Sequence, residues 1–246
     1  MNGASEALRV VMVGHLDHGK STLIGRLLHD TGSLAAGRIE QVERVCAELG
    51  RGFELAYLVD NFREERENEM TVDTTQVFFR NGNRRYVLID APGHLHLLKN
   101  MVTGASQADA AVLVVDATEG VKAQTRRHVQ LLSIMGLKQV VVAINKMDAV
   151  RFKVARFAEV EKALRGFFDS VGLTATRYVP ISAALGDNVV ERSLNMDWCL
   201  VPPCWRHWTR STRTGTPAWP LSATRSRMCT TWRARRYTWG ASRAGR

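Results

Sequence analysis

A loop bounded by Gly14 and Gly19 narrows the possible folds of this chain more than any other segment. Residues 14–22 read G-H-L-D-H-G-K-S-T, directly after an apolar run at residues 8–13 and before the helical spacing that starts at Lys20. This Gly-x-x-x-x-Gly-Lys-Ser pattern between a strand and a helix is typical of a phosphate-binding loop, because its glycines let backbone N–H groups converge on one centre. The predicted phosphate contacts are Gly14, His15, Leu16, Asp17, His18, Gly19, Lys20, Ser21 and Thr22. Ser21 is also a predicted Mg²⁺ ligand, and a plain strand-to-helix turn with a surface lysine is the alternative.

Downstream of the loop, segments with helical spacing alternate with runs rich in Val and Ile. The predicted helices are 20–30, 99–107, 125–135 and 152–171, with two more, 37–49 and 56–68, in a charged surface segment. The predicted strands are 74–80, 85–89, 110–116, 140–144 and 178–181. The first two flank an Asn-Gly-Asn turn and must be antiparallel neighbours. The pattern as a whole predicts an α/β fold with a mostly parallel sheet, helices on both faces, and ligands at the carboxyl ends of the strands.

The net charge of +10 comes from the last part of the chain. Residues 199–246 hold ten arginines and no lysine or carboxylate, and the 24 remaining basic residues balance 24 acidic ones. We therefore expect two units, a globular domain over residues 1–198 and a basic, Arg- and Trp-rich tail over 199–246 that is irregular or disordered. No segment has the length of a membrane span or the pattern of a signal peptide, so we expect a cytoplasmic protein without a membrane partner. The four cysteines lack zinc-site spacing, and no cysteine metal site is expected.

Three polar motifs follow predicted strands. In Asp90-Ala91-Pro92-Gly93-His94, the Asp90 carboxylate is placed to reach Mg²⁺ through water, and the Gly93 N–H to reach a γ-phosphate. A Pro-Gly turn with an N-capping aspartate is the alternative for this motif.

The motif Asn145-Lys146-Met147-Asp148 indicates a guanine base. A carboxylate at Asp148 accepts two hydrogen bonds from the ring N–H and exocyclic amine of guanine, a donor pair that adenine lacks. The Lys146 stem can cover the ring, and Asn145 can tie this segment to the phosphate loop. Ser182 and Ala183, after the last strand, complete the predicted base contacts through a backbone N–H. A polar strand end without function is the alternative.

The order of these motifs resembles that of the elongation-factor-Tu-type translation GTPases. The resemblance rests on residues 14–22, 90–94 and 99–109. It implies a P-loop GTPase domain with GTP or GDP and Mg²⁺ as ligands, and with Lys20 stabilising charge on the phosphates. It also implies that Thr71 is a second Mg²⁺ ligand and that His94 positions the attacking water. Glu69 stands where this family usually has a glycine, which predicts slow basal turnover.

Other segments look more like the GTPase (large) subunit of bacterial sulfate adenylyltransferase. These are residues 21–28, 124–128 and 186–189. This resemblance implies GTP hydrolysis in sulfate activation, with the small catalytic subunit as partner. One alternative is a translation factor that delivers aminoacyl-tRNA. Only under this alternative would the globular domain have a nucleic-acid partner. Another is a truncated GTPase domain that binds nucleotide but performs neither task.

The tail does not read as an ordinary domain, because all six tryptophans lie from Trp198 onward without apolar periodicity. Relatives continue past this point with a β-barrel domain. When the tail is back-translated into its possible codons and these are read two bases later, the permitted sequences include segments similar to that β-barrel domain. We therefore interpret residues 199–246 as its out-of-frame remnant, and a basic aromatic RNA-binding tail is the alternative.

Overall fold

The computed structural model describes residues 7–34, 37, 39–40, 44, 55, 75–81, 84–90 and 108–204. Six strands form one sheet in the order β2-β3-β1-β4-β5-β6. The strands are β1 (Leu8–Gly14), β2 (Thr75–Asn81), β3 (Arg84–Asp90), β4 (Ala110–Asp116), β5 (Val140–Asn145) and β6 (Arg177–Pro180). The helices whose bounds the structure describes are α1 (Lys20–Asp30), α2 (Ala123–Ile134) and α3 (Val154–Ser170).

The strand pairing confirms the predicted fold class. Strand β1 runs parallel to β3 and β4, and the pairs β4–β5 and β5–β6 are also parallel. Only β2 is antiparallel, pairing with β3 so that Asn81 faces Arg84. Only two residues of the sequence separate β2 from β3, and two neighbouring strands joined by so short a segment must be antiparallel.

Helices cover both faces of the sheet. Leu23, Ile24, Leu27 and Leu28 of α1 pack on the face that also receives Val10 and Met12 of β1. Apolar residues of α2 and α3 pack on the opposite face, which receives the alternate residues Val11 and Val13. Because successive strand residues point to opposite faces, a strand covered on both sides is apolar throughout. Strand β4 is accordingly buried along its whole length.

One helix begins later than its spacing predicts. The apolar pattern places a helix over 152–171, but α3 spans Val154–Ser170. Arg151 and Phe152 have φ angles of 54° and 53°, in the left-handed region that cannot continue a right-handed helix. All the described elements, including α3, lie within two residues of their predicted bounds, and α2 begins two residues before its predicted start.

The chain after β6 passes the edge of the sheet and contacts both faces. Cys199 is buried in the core on the α2 and α3 face, whereas Cys204 is buried on the α1 face. The Trp198 indole Nε1 donates to the carbonyl oxygen of Phe152 at 3.2 Å. The division at residue 198 stays a prediction.

Several predicted segments lie outside the described residues. They are the helix 99–107, most of 37–49, all of 56–68, and the tail beyond residue 204. None of the helices that the structure describes has the length and apolar character needed to span a membrane.

Candidate functional site

The described residues of the predicted motifs meet at the carboxyl edge of the sheet. In the strand pairing, Asp90 is opposite Met12, and Asp116 is opposite Asn145. Gly14, at the end of β1, lies between them, opposite Val114 of β4. This arrangement follows from the parallel topology, which brings all these strand ends to the same side.

The loop between β1 and α1 requires its two glycines. A Cβ atom at Gly14 would lie 2.5 Å from the carbonyl oxygen of Val114. Gly19 has a φ angle of 86°, and a Cβ atom there would clash with the side-chain amide of Asn145. Helix α1 begins directly after Gly19, which has no side chain to cap the first-turn N–H groups. The Lys20 ammonium folds back over the loop and donates to the carbonyl oxygens of Gly14 and His15, each at 2.9 Å. The loop therefore holds a buried cation beside a helix N-terminus.

The Asn145 side chain connects the phosphate loop to the segment that follows β6. Its Nδ2 donates to the carbonyl oxygen of His18, and its Oδ1 accepts from the N–H of Ala183, both at 2.9 Å. Nearby, the Ser182 hydroxyl donates to Oδ1 of Asp148 at 2.6 Å. Asn145 is 2% exposed, so removing it would leave two buried backbone groups without these bonds.

Asp116 belongs to the same edge and was not predicted from the sequence. Its Oδ2 accepts from the Lys146 ammonium at 2.7 Å, and its Oδ1 accepts from the backbone and hydroxyl of Thr118. Burial alone would raise the pKa of Asp116, but the hydrogen bonds from Lys146 and Thr118 outweigh it and hold the pKa below its usual value. Its place at the end of an apolar strand, as for Asp90 and Asn145, is the signal that could have found it.

Histidines lie against the loop from the side of β4 and α2. The two ring nitrogens of His18 lie 3.2 Å from the carbonyl oxygen of Val114 and 3.3 Å from the Glu119 carboxylate, both acceptors. Burial is the largest influence on the His18 ring and lowers its pKa. His128 of α2 is buried too, and burial with the nearby Lys20 charge lowers its pKa to about 4.

Two arginine side chains bind backbone carbonyl groups of the loops at this edge of the sheet. Neither was predicted from the sequence, because an arginine in a helix usually lies in solvent. Arg26 of α1 donates from Nε to the carbonyl oxygen of Ala183 at 3.2 Å and from Nη2 to that of Ala184. Arg156 of α3 donates from Nε to the carbonyl oxygen of Ala117 at 2.6 Å. It also donates from Nη2 to that of Thr118 at 3.1 Å.

Part of the predicted site cannot be placed. Thr71, Gly93 and His94 lie outside the described residues, and their roles remain predictions. Asp90 is described and is 1% exposed, at the end of β3. Ser21 and Thr22 lie in the first turn of α1, whereas Leu16 and Asp17 are exposed at the tip of the loop. Within the described residues, no three His, Cys, Asp or Glu side chains are grouped as a metal site.

Known proteins resemble this chain over most of its length. Elongation factor 1-alpha of Pyrococcus woesei is 47% identical over 191 residues, which are 78% of this chain and 44% of that protein. Sulfate adenylyltransferase subunit 1 of Colwellia psychrerythraea is 42% identical over 196 residues, covering 78% of this chain and 42% of that protein. The chain spans less than half the length of these two relatives.

Solved structures and a family model agree with these relatives. A structure of Sup35 complexed with GDP superposes with a TM-score of 0.60 at 30% identity, covering 85% of this chain and 45% of that one. The model of the elongation factor Tu GTP binding domain matches residues 5–203. Since this match includes most of the sequence, the chain belongs to the elongation factor Tu GTP-binding domain family.

Proposed function

We propose that this chain is a Mg²⁺-dependent GTPase that binds GTP and GDP and hydrolyses GTP to GDP and phosphate. The buried amide of Asn145 carries the proposal, because it joins the phosphate loop to the Ser182–Ala183 segment. The segments predicted to contact the phosphates and the base are thereby bonded to each other. This arrangement suits a nucleotide, which has both phosphates and a base.

The phosphates would occupy the loop between β1 and α1. The ammonium of Lys20 is already directed over this loop by the carbonyl oxygens of Gly14 and His15. The backbone N–H groups of the first turn of α1 add partial positive charge at the same place. Lys20 would then stabilise the negative charge that develops on the phosphate oxygens during hydrolysis.

The base would lie between the Asp148 and Ser182 segments. Ser182 donates to one oxygen of Asp148 and so orients the carboxylate that would accept from the guanine ring N–H and amine. The Ala183 N–H is bonded to Asn145. The N–H of the next residue, Ala184, which is exposed, would therefore donate to the 6-oxo oxygen of guanine.

Mg²⁺ fits the donors that the chain offers. The Ser21 hydroxyl and the Asp90 carboxylate are hard oxygen ligands of the type that Mg²⁺ prefers, and Thr71 would add a third. When bound, the ion neutralises charge on the β- and γ-phosphate oxygens. The Gly93 N–H would contact the γ-phosphate, and His94 would orient the attacking water.

Within the family, we assign the chain to sulfate activation in the cytoplasm, as the GTPase subunit that works with the small catalytic subunit of sulfate adenylyltransferase. Residues 21–28, 124–128 and 186–189 support this assignment, and so does the relative at 42% identity. The elongation factor 1-alpha relative at 47% identity favours the second candidate, a GTPase that delivers aminoacyl-tRNA.

Nucleotide titration tests the guanine site. In Mg²⁺ buffer, fluorescent GDP should bind at least about 100-fold more tightly than fluorescent ADP, because adenine lacks the ring N–H and exocyclic amine donors that the Asp148 carboxylate would accept from. Asp148→Asn should weaken GDP binding and improve binding of xanthosine diphosphate. The matched control is Asp169→Asn, at an exposed position of α3, which should change neither. Equal affinity for GDP and ADP in the unmodified chain would refute the proposal.

A second experiment separates the two candidates within the family. GTP hydrolysis that is stimulated by the small subunit only with sulfate and ATP supports sulfate activation. GTP-dependent protection of aminoacyl-tRNA from hydrolysis supports delivery.

A further inference from the structure

Arg26 binds the segment after β6 although 157 residues separate it from Ala183. Its Nε and Nη2 atoms donate to the carbonyl oxygens of Ala183 and Ala184, and its Nη1 lies 3.4 Å from Oδ1 of Asp30. The Arg26 side chain is only 19% exposed. A guanidinium with its donors in a fixed plane suits this task, because it can bind two adjacent carbonyl groups at once.

The same segment packs against the Arg26–Asp30 pair a little further along. Gly186 has a φ angle of 86°, and a Cβ atom built on it would lie 3.4 Å from Oδ2 of Asp30 and 3.5 Å from Cδ of Arg26. From the opposite side, Asn145 accepts the Ala183 N–H. Residues 182–186 are thus bound between α1 and the end of β5.

The geometry of the peptide bond links Arg26 to the base contact. The Ala183 carbonyl and the Ala184 N–H belong to one planar trans peptide unit, in which they point in opposite directions. Holding the carbonyl towards Arg26 therefore directs the Ala184 N–H away from α1. A charged donor on the carbonyl also polarises the peptide and makes its N–H a stronger donor.

We propose that Arg26 is a positioning residue for guanine recognition, because it orients the Ala183–Ala184 peptide so that the Ala184 N–H donates to the 6-oxo oxygen of the base. This inference rests on the proposed guanine site. It adds a specificity determinant on α1, outside the segments that contact the nucleotide.

Three nucleotides isolate the 6-oxo contact. GDP and inosine diphosphate both carry the 6-oxo oxygen, whereas 6-thioguanosine diphosphate keeps the other guanine donors but has a weakly accepting sulfur there. Arg26→Ala should weaken the binding of GDP and of inosine diphosphate alike, by about fivefold to tenfold. The same substitution should weaken the binding of 6-thioguanosine diphosphate much less, so the ratio of affinities for GDP and the thio analogue should fall. Arg26→Lys can bind only one of the two carbonyl groups and should give an intermediate preference.

The control is Arg165→Ala on α3, which removes an arginine that is 58% exposed and paired with Glu161. It should leave all three affinities unchanged. If Arg26→Ala does not unfold cooperatively in urea, Arg26→Lys carries the test. A chain that prefers GDP over ADP, but in which the Arg26 variants keep the full preference for GDP over the thio analogue, overturns this inference. A chain without preference for GDP over ADP refutes the proposed function instead.

Discussion

At the scale of single residues, His128 makes the stability of the folded state depend on pH. His128 is 6% exposed, and among the residues that the structure describes neither of its ring nitrogens has a hydrogen-bond partner. Burial, with the neighbouring charges of Lys20, His15 and His18, lowers the pKa of His128 to about 4. In the unfolded chain the pKa returns to about 6.5, so between these values only the unfolded chain binds the proton. The contribution to stability is therefore complete above pH 6.5 and is lost progressively as the pH falls towards 4.

His128→Leu should remove this part of the pH dependence. At pH 5 the wild type should have lost about 2 kcal/mol of unfolding free energy through His128, and the leucine variant should not lose that share. Urea unfolding of both proteins at pH 7.5 and pH 5 measures the difference. The other ionisable groups are present in both proteins, so the difference between the two losses reports on His128. Equal losses in the two proteins would show that His128 does not titrate as its burial requires.

At the scale of secondary-structure elements, α3 holds the loop after β4 through Arg156. The two bonds from this side chain reach the carbonyl oxygens of Ala117 and Thr118, next to the Asp116 that pairs with Lys146. Arg156→Ala should lower the free energy of unfolding by about 1–2 kcal/mol, because it removes two charge-assisted hydrogen bonds that are partly shielded from water. Urea unfolding at neutral pH measures the loss.

The ion pair of Arg156 with Glu159 provides the control. Glu159 is 68% exposed, so Glu159→Gln should change the stability by less than about 0.5 kcal/mol. If the two variants lost equal stability, the ion pair and not the loop contact would account for the role of Arg156.

The elements show where sequence reasoning succeeds. The bounds of α1 and the hairpin of β2 and β3 were predicted because helical spacing, capping glycines and turn residues act over a few positions. The late start of α3 depends on left-handed backbone at Arg151 and Phe152, which no residue type there indicates. In the site, Asn145 and Asp148 could be proposed from the sequence because their motif is contiguous, and their roles in binding stay predictions. The contact of Arg26 with Ala183 depends on how α1 packs against a segment that is distant in the sequence. The spacing of apolar residues along the chain does not indicate which distant segments pack together.

At the scale of the whole molecule, the segment after β6 closes both layers of the core. Cys199 is buried on one face of the sheet and Cys204 on the other, and Val201 between them packs against both. The Cys204 N–H donates to the carbonyl oxygen of Asn188 at 2.9 Å. Burial raises the pKa of the Cys204 thiol to about 12, so it is neutral in the folded chain. The packing thus continues six residues beyond the predicted boundary at residue 198.

Substitutions in this segment test whether it belongs to the folded domain. Cys204→Asp should cost at least about 3 kcal/mol at pH 7.5, because it places a carboxylate in an apolar core without a partner. Cys204→Ala should cost about 1 kcal/mol, through the lost sulfur atom alone. Leu200→Asp is the matched control, since Leu200 is 68% exposed and should tolerate the charge with a change below about 0.5 kcal/mol. If Cys204→Asp were as mild as Leu200→Asp in urea unfolding, residues 199–204 would not contribute to the core, and the boundary at residue 198 would stand.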